Sequence, residues 1–130
     1  MERGVLLVVL VASVIATGPI GVPLARAESE APAANPLSGN PAAISEGQSW
    51  FRAVCSFCHG LRAEGGRGGG PDLRGFDKGF RRYVETVKIG RDVPGRALKM
   101  PAWGGVLSDQ QIYQIGAYLE TLAKQGANWQ

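Results

Sequence analysis

An all-α domain with long loops is the fold class this sequence predicts. Three observations lead there: apolar residues recur at helical spacing behind two Ser-x-x-Gln capping boxes, no stretch alternates apolar and polar residues as a half-buried strand does, and six of the eleven residues from Gly60 to Gly70 are glycine, which suits neither helix nor paired strand. No internal repeat and no parallel-sheet pattern competes with that reading.

The N-terminus comes first. Glu2 and Arg3 precede an uncharged stretch from Gly4 to Ala25, densest in apolar residues from Val5 to Ala16, and Ala25-Arg26-Ala27 offers a small-x-small cleavage site. Residues 1–27 therefore read as a secretory signal peptide. The alternative is an uncleaved anchor in the inner membrane, since Val5 to Ala25 is long enough to span a bilayer; Gly18, Pro19, Gly21 and Pro23 argue against it. Residues 28–43, rich in Ala, Pro, Ser, Asn and Gly, read as a tail or linker. Residues 44–130 then form one small domain, marginal in core size by itself.

Within that domain Ser45 and Gln48 match a capping box, and Trp50, Phe51 and Val54 give an apolar stripe, so a helix of about three turns is expected from Ser45 to Cys55. The glycine-rich loop follows; a phosphate-binding reading of it would need a preceding strand and a following helix, and Pro71 follows instead. From Phe76 to Ile89, Phe80, Tyr83, Val84 and Val87 mark a second helix closed by Gly90. Arg91 to Leu107 holds Pro94 and Pro101 and reads as an irregular loop that delivers Met100. A last helix is expected from Ser108 to about Lys124, with Ser108 and Gln111 as its capping box and Ile112, Ile115, Gly116, Leu119 and Leu122 on one face.

The chemistry gathers at Cys55-Ser56-Phe57-Cys58-His59, which holds the only two cysteines and the only histidine of the 130 residues. CxxCH reads as an attachment site for haem c, in which two thiols bond the porphyrin and the adjacent imidazole ligates its iron. The competing readings fit less well. A thioredoxin-like pair would follow a strand, a structural zinc site takes four Cys or His ligands where three exist, and a plain disulfide would leave His59 idle. Met100 is then the thioether available as second axial ligand, against the bland reading of a methionine as core filler.

Charge excludes little by its sum but informs by its placement. Arg62 to Lys99 holds ten basic residues against five acidic ones, so a basic face near the two expected iron ligands would steer an acidic partner; a merely solvated face is the alternative. Nothing in the balance suggests nucleic acid.

Taken in order, Gly47, Phe51 and Cys55 at intervals of four, CxxCH, Gly70-Pro71-Asp72-Leu73-Arg74-Gly75, Met100, and Ile115 with Tyr118 resemble the class I (mitochondrial-type) cytochrome c family, over Ile44 to Ala123. The resemblance implies three main helices with long loops around one covalently attached haem, and a first helix that crosses the last through Gly47 and Phe51 against Tyr118. It implies that the Pro71 carbonyl accepts a hydrogen bond from the His59 ring nitrogen that faces away from iron. It further implies a one-electron carrier cycling Fe(II) and Fe(III), with Cys55, Cys58, His59, Pro71 and Met100 as cofactor-binding residues, His59 and Met100 as metal ligands, and no catalytic residue. Two departures stand out: the glycine-rich loop, and the lack of any match to the family's propionate-binding residues, for which Arg82, Arg91 and Trp103 are the candidates here.

The expected setting is the periplasm, with a soluble monomer and no membrane span once the signal is cleaved. A periplasmic dehydrogenase is the expected donor, a quinoprotein alcohol dehydrogenase first among them because of the Met100-Pro101-Ala102-Trp103 loop; another cytochrome or a terminal oxidase is the expected acceptor. Two alternatives remain open: a five-coordinate haem protein that binds small ligands or acts on peroxide, and a cytochrome subunit held tightly in a larger dehydrogenase or oxidase.

Overall fold

A computed structural model describes residues 30–66 and 68–130, and the expected signal peptide, residues 1–27, lies outside the described residues. Helix α1 runs Pro41–Trp50, passes through one π-helical stretch at Phe51–Cys55, and continues as the short α2, Ser56–His59; α3 is Phe80–Ile89 and α4 is Asp109–Thr121. Three helical segments, with no strand among the described residues, give the expected all-α class. Within those residues one isolated antiparallel bridge, Arg91 with Met100, interrupts the loops.

The helix boundaries differ from expectation at both ends, for local reasons. The first helix begins at Pro41 rather than Ser45, because the Asn40 side chain accepts from the Ala43 amide at 3.1 Å and Pro41 occupies the position where a missing N–H costs nothing. Ser45 and Gln48 therefore sit inside the helix. The segment before it packs on the domain: Asn35 is buried, accepts from Leu37 N and donates to the Tyr113 carbonyl at 3.0 Å, while Arg81 holds Glu30 and the Ala31 carbonyl.

At the second helix, Phe76 belongs to the preceding loop, and Gly79, at φ 80°, marks the boundary before Phe80. Ser108 caps α4 with the expected reciprocal bonds to Gln111. The chain after α4 turns back, with Lys124 N donating to Arg74 O and Asn128 N to Phe76 O.

α1 crosses α4 at very close range. A Cβ built on Gly47 would lie 1.9 Å from the Gln114 carbonyl oxygen, so only glycine allows the two backbones to approach this far. One turn on, Phe51 is fully buried with its ring centroid 5.6 Å from that of Tyr118, which is the crossing the resemblance implied. α3 docks on the same helix through Phe80, which is also fully buried, and through Tyr83, whose hydroxyl donates to the Ile112 carbonyl at 2.9 Å. No helix among the described residues is long and apolar enough to cross a membrane.

Candidate cofactor site

The π-helical stretch leads directly into the CxxCH residues, and α2 carries Cys58 and His59 to its end. π-Helical turns inside α-helices are frequent at functional sites. Cys55, Cys58 and His59 line one cavity of about 400 Å³, which is also walled by Pro71, Leu73, Phe76, Arg82, Arg91, Met100 and Trp103. A second, smaller pocket of about 60 Å³ is lined by Tyr83, Val87, Leu119 and Trp129, and His59, Leu73, Phe76, Thr86 and Met100 line both.

His59 is oriented from its far side. Its Nδ1 lies 3.0 Å from the Pro71 carbonyl oxygen, which can only accept, so Nδ1 carries the proton and Nε2 keeps its lone pair for a metal. The loop that supplies Pro71 is pressed onto the CxxCH backbone: Gly70 N donates to Cys58 O at 2.9 Å and Gly65 N to His59 O at 2.7 Å. A Cβ on Gly70 would come within 2.4 Å of that Cys58 oxygen and 2.9 Å of His59 Nδ1. The composition that looked unusual in the sequence thus has a steric cause at the site itself.

Met100 is presented by the opposite loop. Its amide and carbonyl pair with Arg91 at 2.9 and 3.0 Å, and Trp103 N and Gly104 N tie the far arm to the carbonyls of Val87 and Lys88. The two loops meet where Arg96 Nη1 donates to the Gly69 carbonyl at 3.0 Å. Arg82, Arg91 and Trp103, the sequence candidates for propionate binding, all line the cavity, and Arg82 also pairs with Glu85 at 3.3 Å.

Cys55 and Asp72, both lining the cavity, are strongly shifted. Burial, with a smaller contribution from Cys58, pushes the Cys55 thiol up to about 12, which holds it neutral. Arg74 and then Lys124 hold Asp72 well below the usual carboxylate range, and these bonds fix the residue next to Pro71 to the chain beyond α4.

The donor set fits a covalently bound porphyrin. Two thiols sit at the rim of an apolar cavity, whose volume falls in the range of roughly 300 to 1,000 Å³ usual for small-molecule sites, with an imidazole and a thioether on its walls. Sequence reasoning placed every one of these residues, and missed Leu73, Phe76 and Trp129; Trp129 lies in the tail after α4, where no periodicity marks it.

A helical domain built around such a cavity defines a c-type cytochrome of class I fold, whose cofactor is covalently attached haem c. The family model described as cytochrome c oxidase, cbb3-type, subunit III matches residues 42–119, and the chain belongs to that family. It is 31% identical over 90 residues to the cbb3-type cytochrome c oxidase subunit FixP of Sinorhizobium medicae (strain WSM419), covering 63% of this chain and 31% of that protein. The FixP subunit of Rhizobium meliloti (strain 1021) is 30% identical with the same coverage. The chain spans about a third of the length of these curated relatives. Among solved structures it is similar to cytochrome cL from Methylophaga aminisulfidivorans MPT, at 28% identity and a TM-score of 0.57, covering 69% of this chain and 59% of that one. It shares its fold with the c-type cytochrome XoxG from Methylobacterium extorquens AM1, at 22% identity and a TM-score of 0.52, covering 68% and 54%.

Proposed function

We propose that this chain is a one-electron carrier of the periplasm, in which Cys55 and Cys58 hold the haem through thioethers and His59 and Met100 are the axial ligands. The observation that carries the reading is the placement of His59, at the end of α2, and Met100, on the loop between α3 and α4, on the walls of the same cavity. When bound, the haem iron supplies the Fe(II)/Fe(III) couple. The protein's part is to hold and bury it: Pro71 fixes the His59 ring and tautomer, the Arg91–Met100 bridge fixes the backbone that carries Met100, and the apolar wall limits water. A methionine ligand would raise the potential of the bound haem and fill the position a substrate would need, so the proposed role is electron transfer.

Export by residues 1–27 would deliver the domain to the compartment where haem c is attached. A quinoprotein alcohol dehydrogenase is the proposed donor, supported by the Met100-Pro101-Ala102-Trp103 loop and by the likeness to cytochrome cL; another cytochrome or a terminal oxidase is the proposed acceptor. A second reading rests on the family itself: the relatives are named as oxidase subunits, so the chain would be held in a larger complex rather than diffuse freely. Gel filtration of native extract distinguishes a lone small cytochrome from a complex.

The central test is the optical spectrum of protein exported from a strain with a haem-attachment system. Sharp low-spin bands on reduction, with the weak near-infrared sulfur-to-iron band in the oxidised form, are expected. A high-spin spectrum that shifts with carbon monoxide would instead establish the five-coordinate, ligand-binding reading.

A further inference from the structure

Residues 91–100 form an excursion that is closed at its base and turns at its tip. The base is the Arg91–Met100 bridge, with the Lys99–Asp92 ion pair one residue further out. At the tip, Arg96 N donates to the Val93 carbonyl at 3.1 Å and Gly95 takes a φ of 82°. All of these bonds lie within the excursion, so none of them ties its tip to the rest of the domain.

The Arg96 side chain supplies that tie. Its Nη1 donates to the Gly69 carbonyl oxygen at 3.0 Å, and among the described residues this is the only hydrogen bond or ion pair between residues 60–75 and residues 91–107. The next residue, Gly70, donates through its amide to Cys58 O, beside His59. Two bonds in series thus join the excursion that ends at Met100 to the turn that carries His59. Arg96 and Gly69 both line the cavity and both are exposed. A guanidinium on a neutral carbonyl at such a site contributes modestly. That is too little to hold a fold together, but enough to set how often a loop opens, because local opening of loops has a small free energy to which each bond across the opening adds.

We infer that Arg96 is a positioning residue for the axial thioether: it latches the Met100 excursion to the glycine-rich loop across the cavity mouth and thereby sets how often Met100 leaves the iron. The inference rests on the Met100-ligated reading and deepens it, since the same latch governs when the sixth position is free for an outside ligand.

The test uses the full, haem-loaded, oxidised protein, with imidazole as the outside ligand. A six-coordinate iron has no vacant position, so imidazole binds only after the thioether leaves, and the rate at saturating imidazole reads Met100 release. Arg96→Gln should raise that limiting rate about three- to tenfold, as loss of one exposed hydrogen bond predicts, while covalent haem and the low-spin spectrum are retained. Arg81→Gln removes the same charge and a comparable link, to Glu30 and the Ala31 carbonyl, away from both loops; it should leave the rate unchanged. An unchanged rate in Arg96→Gln would overturn the inference, as would an equal rise in both variants, which general loosening of the domain produces. In the reduced wild-type protein, cross-peaks are expected between Arg96 side-chain protons and the backbone protons of Gly69 or Gly70, and their absence would overturn it whether or not the variant folds. A wild-type oxidised protein that is high-spin and binds imidazole with no limiting rate would instead defeat the ligation by Met100 itself.

Discussion

At the scale of single residues, the site depends on how closely Gly70 lets the Pro71 loop approach the CxxCH turn. Gly70→Ala places a methyl 2.4 Å from a backbone oxygen that cannot yield easily, so the loop must move and take Pro71 away from His59. The expected outcome is a loss of about 1–3 kcal/mol in denaturant unfolding of the holoprotein, the usual cost of overpacking, with a changed low-spin spectrum as the imidazole loses its fixed orientation; an unchanged midpoint and spectrum would show that the loop has slack. Met100→Ala should keep covalent haem but open the sixth position and lower the potential, and an unchanged spectrum would remove Met100 from the iron. Asp72 titrates in the opposite sense to a buried acid. Its pKa is lowered in the fold by Arg74 and Lys124, so its contribution is present above the unfolded value of about 4 and is lost as pH falls below it. Asp72→Asn should therefore cost a little stability at neutral pH, the pair being exposed, and that difference from the wild type should shrink in denaturant unfolding as pH falls below about 4; a difference that does not change with pH would show that Arg74 and Lys124 do not stabilise the Asp72 carboxylate. Cys55, Cys58 and His59 stood out as candidates because haem attachment restricts residue type at fixed spacing, and Met100 because it is the available thioether, placed in a loop between helices. Trp129 did not, because an indole in a tail acquires meaning only from what surrounds it.

At the scale of elements, the α1–α4 crossing is the contact on which the fold turns. Gly47→Ala would drive a methyl into the Gln114 carbonyl, 1.9 Å away, where both partners are backbone and neither rotates aside. A loss at or above the top of the overpacking range, about 3 kcal/mol, is expected in denaturant unfolding. Gly105→Ala, with nothing within 4 Å of the added methyl, is the matching control and should be close to neutral. A Gly47→Ala protein as stable as that control would mean that the helices do not cross here. The family resemblance implied this crossing of Gly47 and Phe51 against Tyr118, and the sequence itself showed α4 through a capping box that forms as expected. It misled at the start of α1, where Asn40 and Pro41 are a true helix start embedded in a Pro- and Ala-rich stretch that looks like a linker. It misled again at α3, where Phe76 continues the apolar spacing from a loop, packing on Tyr83 and Trp129 without being helical.

At the scale of the whole molecule, the charge pattern of the sequence acquires a location. Of the basic residues between Arg62 and Lys99, Lys78, Arg82, Arg91, Arg96 and Lys99 line the cavity, whereas Arg81 turns to Glu30 and the Ala31 carbonyl. Linear charge density could not separate Arg81 from Arg82, because adjacent positions on a helix point about 100° apart. Were the cofactor edge to exchange electrons at this rim, a positive potential there would attract an anionic partner and speed encounter, and salt would screen the effect within a Debye length of about 8–10 Å. Lys78 and Lys99 are exposed and stand outside the Met100 bridge and the Arg96–Gly69 link, so their charge can be changed without disturbing the loops. The double variant Lys78→Glu, Lys99→Glu should slow oxidation of the reduced holoprotein by ferricyanide in stopped-flow measurements, several-fold at low ionic strength and much less at high, whereas Arg81→Glu should have little effect at either. Equal slowing by both variants, or rates independent of salt, would move electron exchange away from this rim and leave the basic residues as a solvated surface.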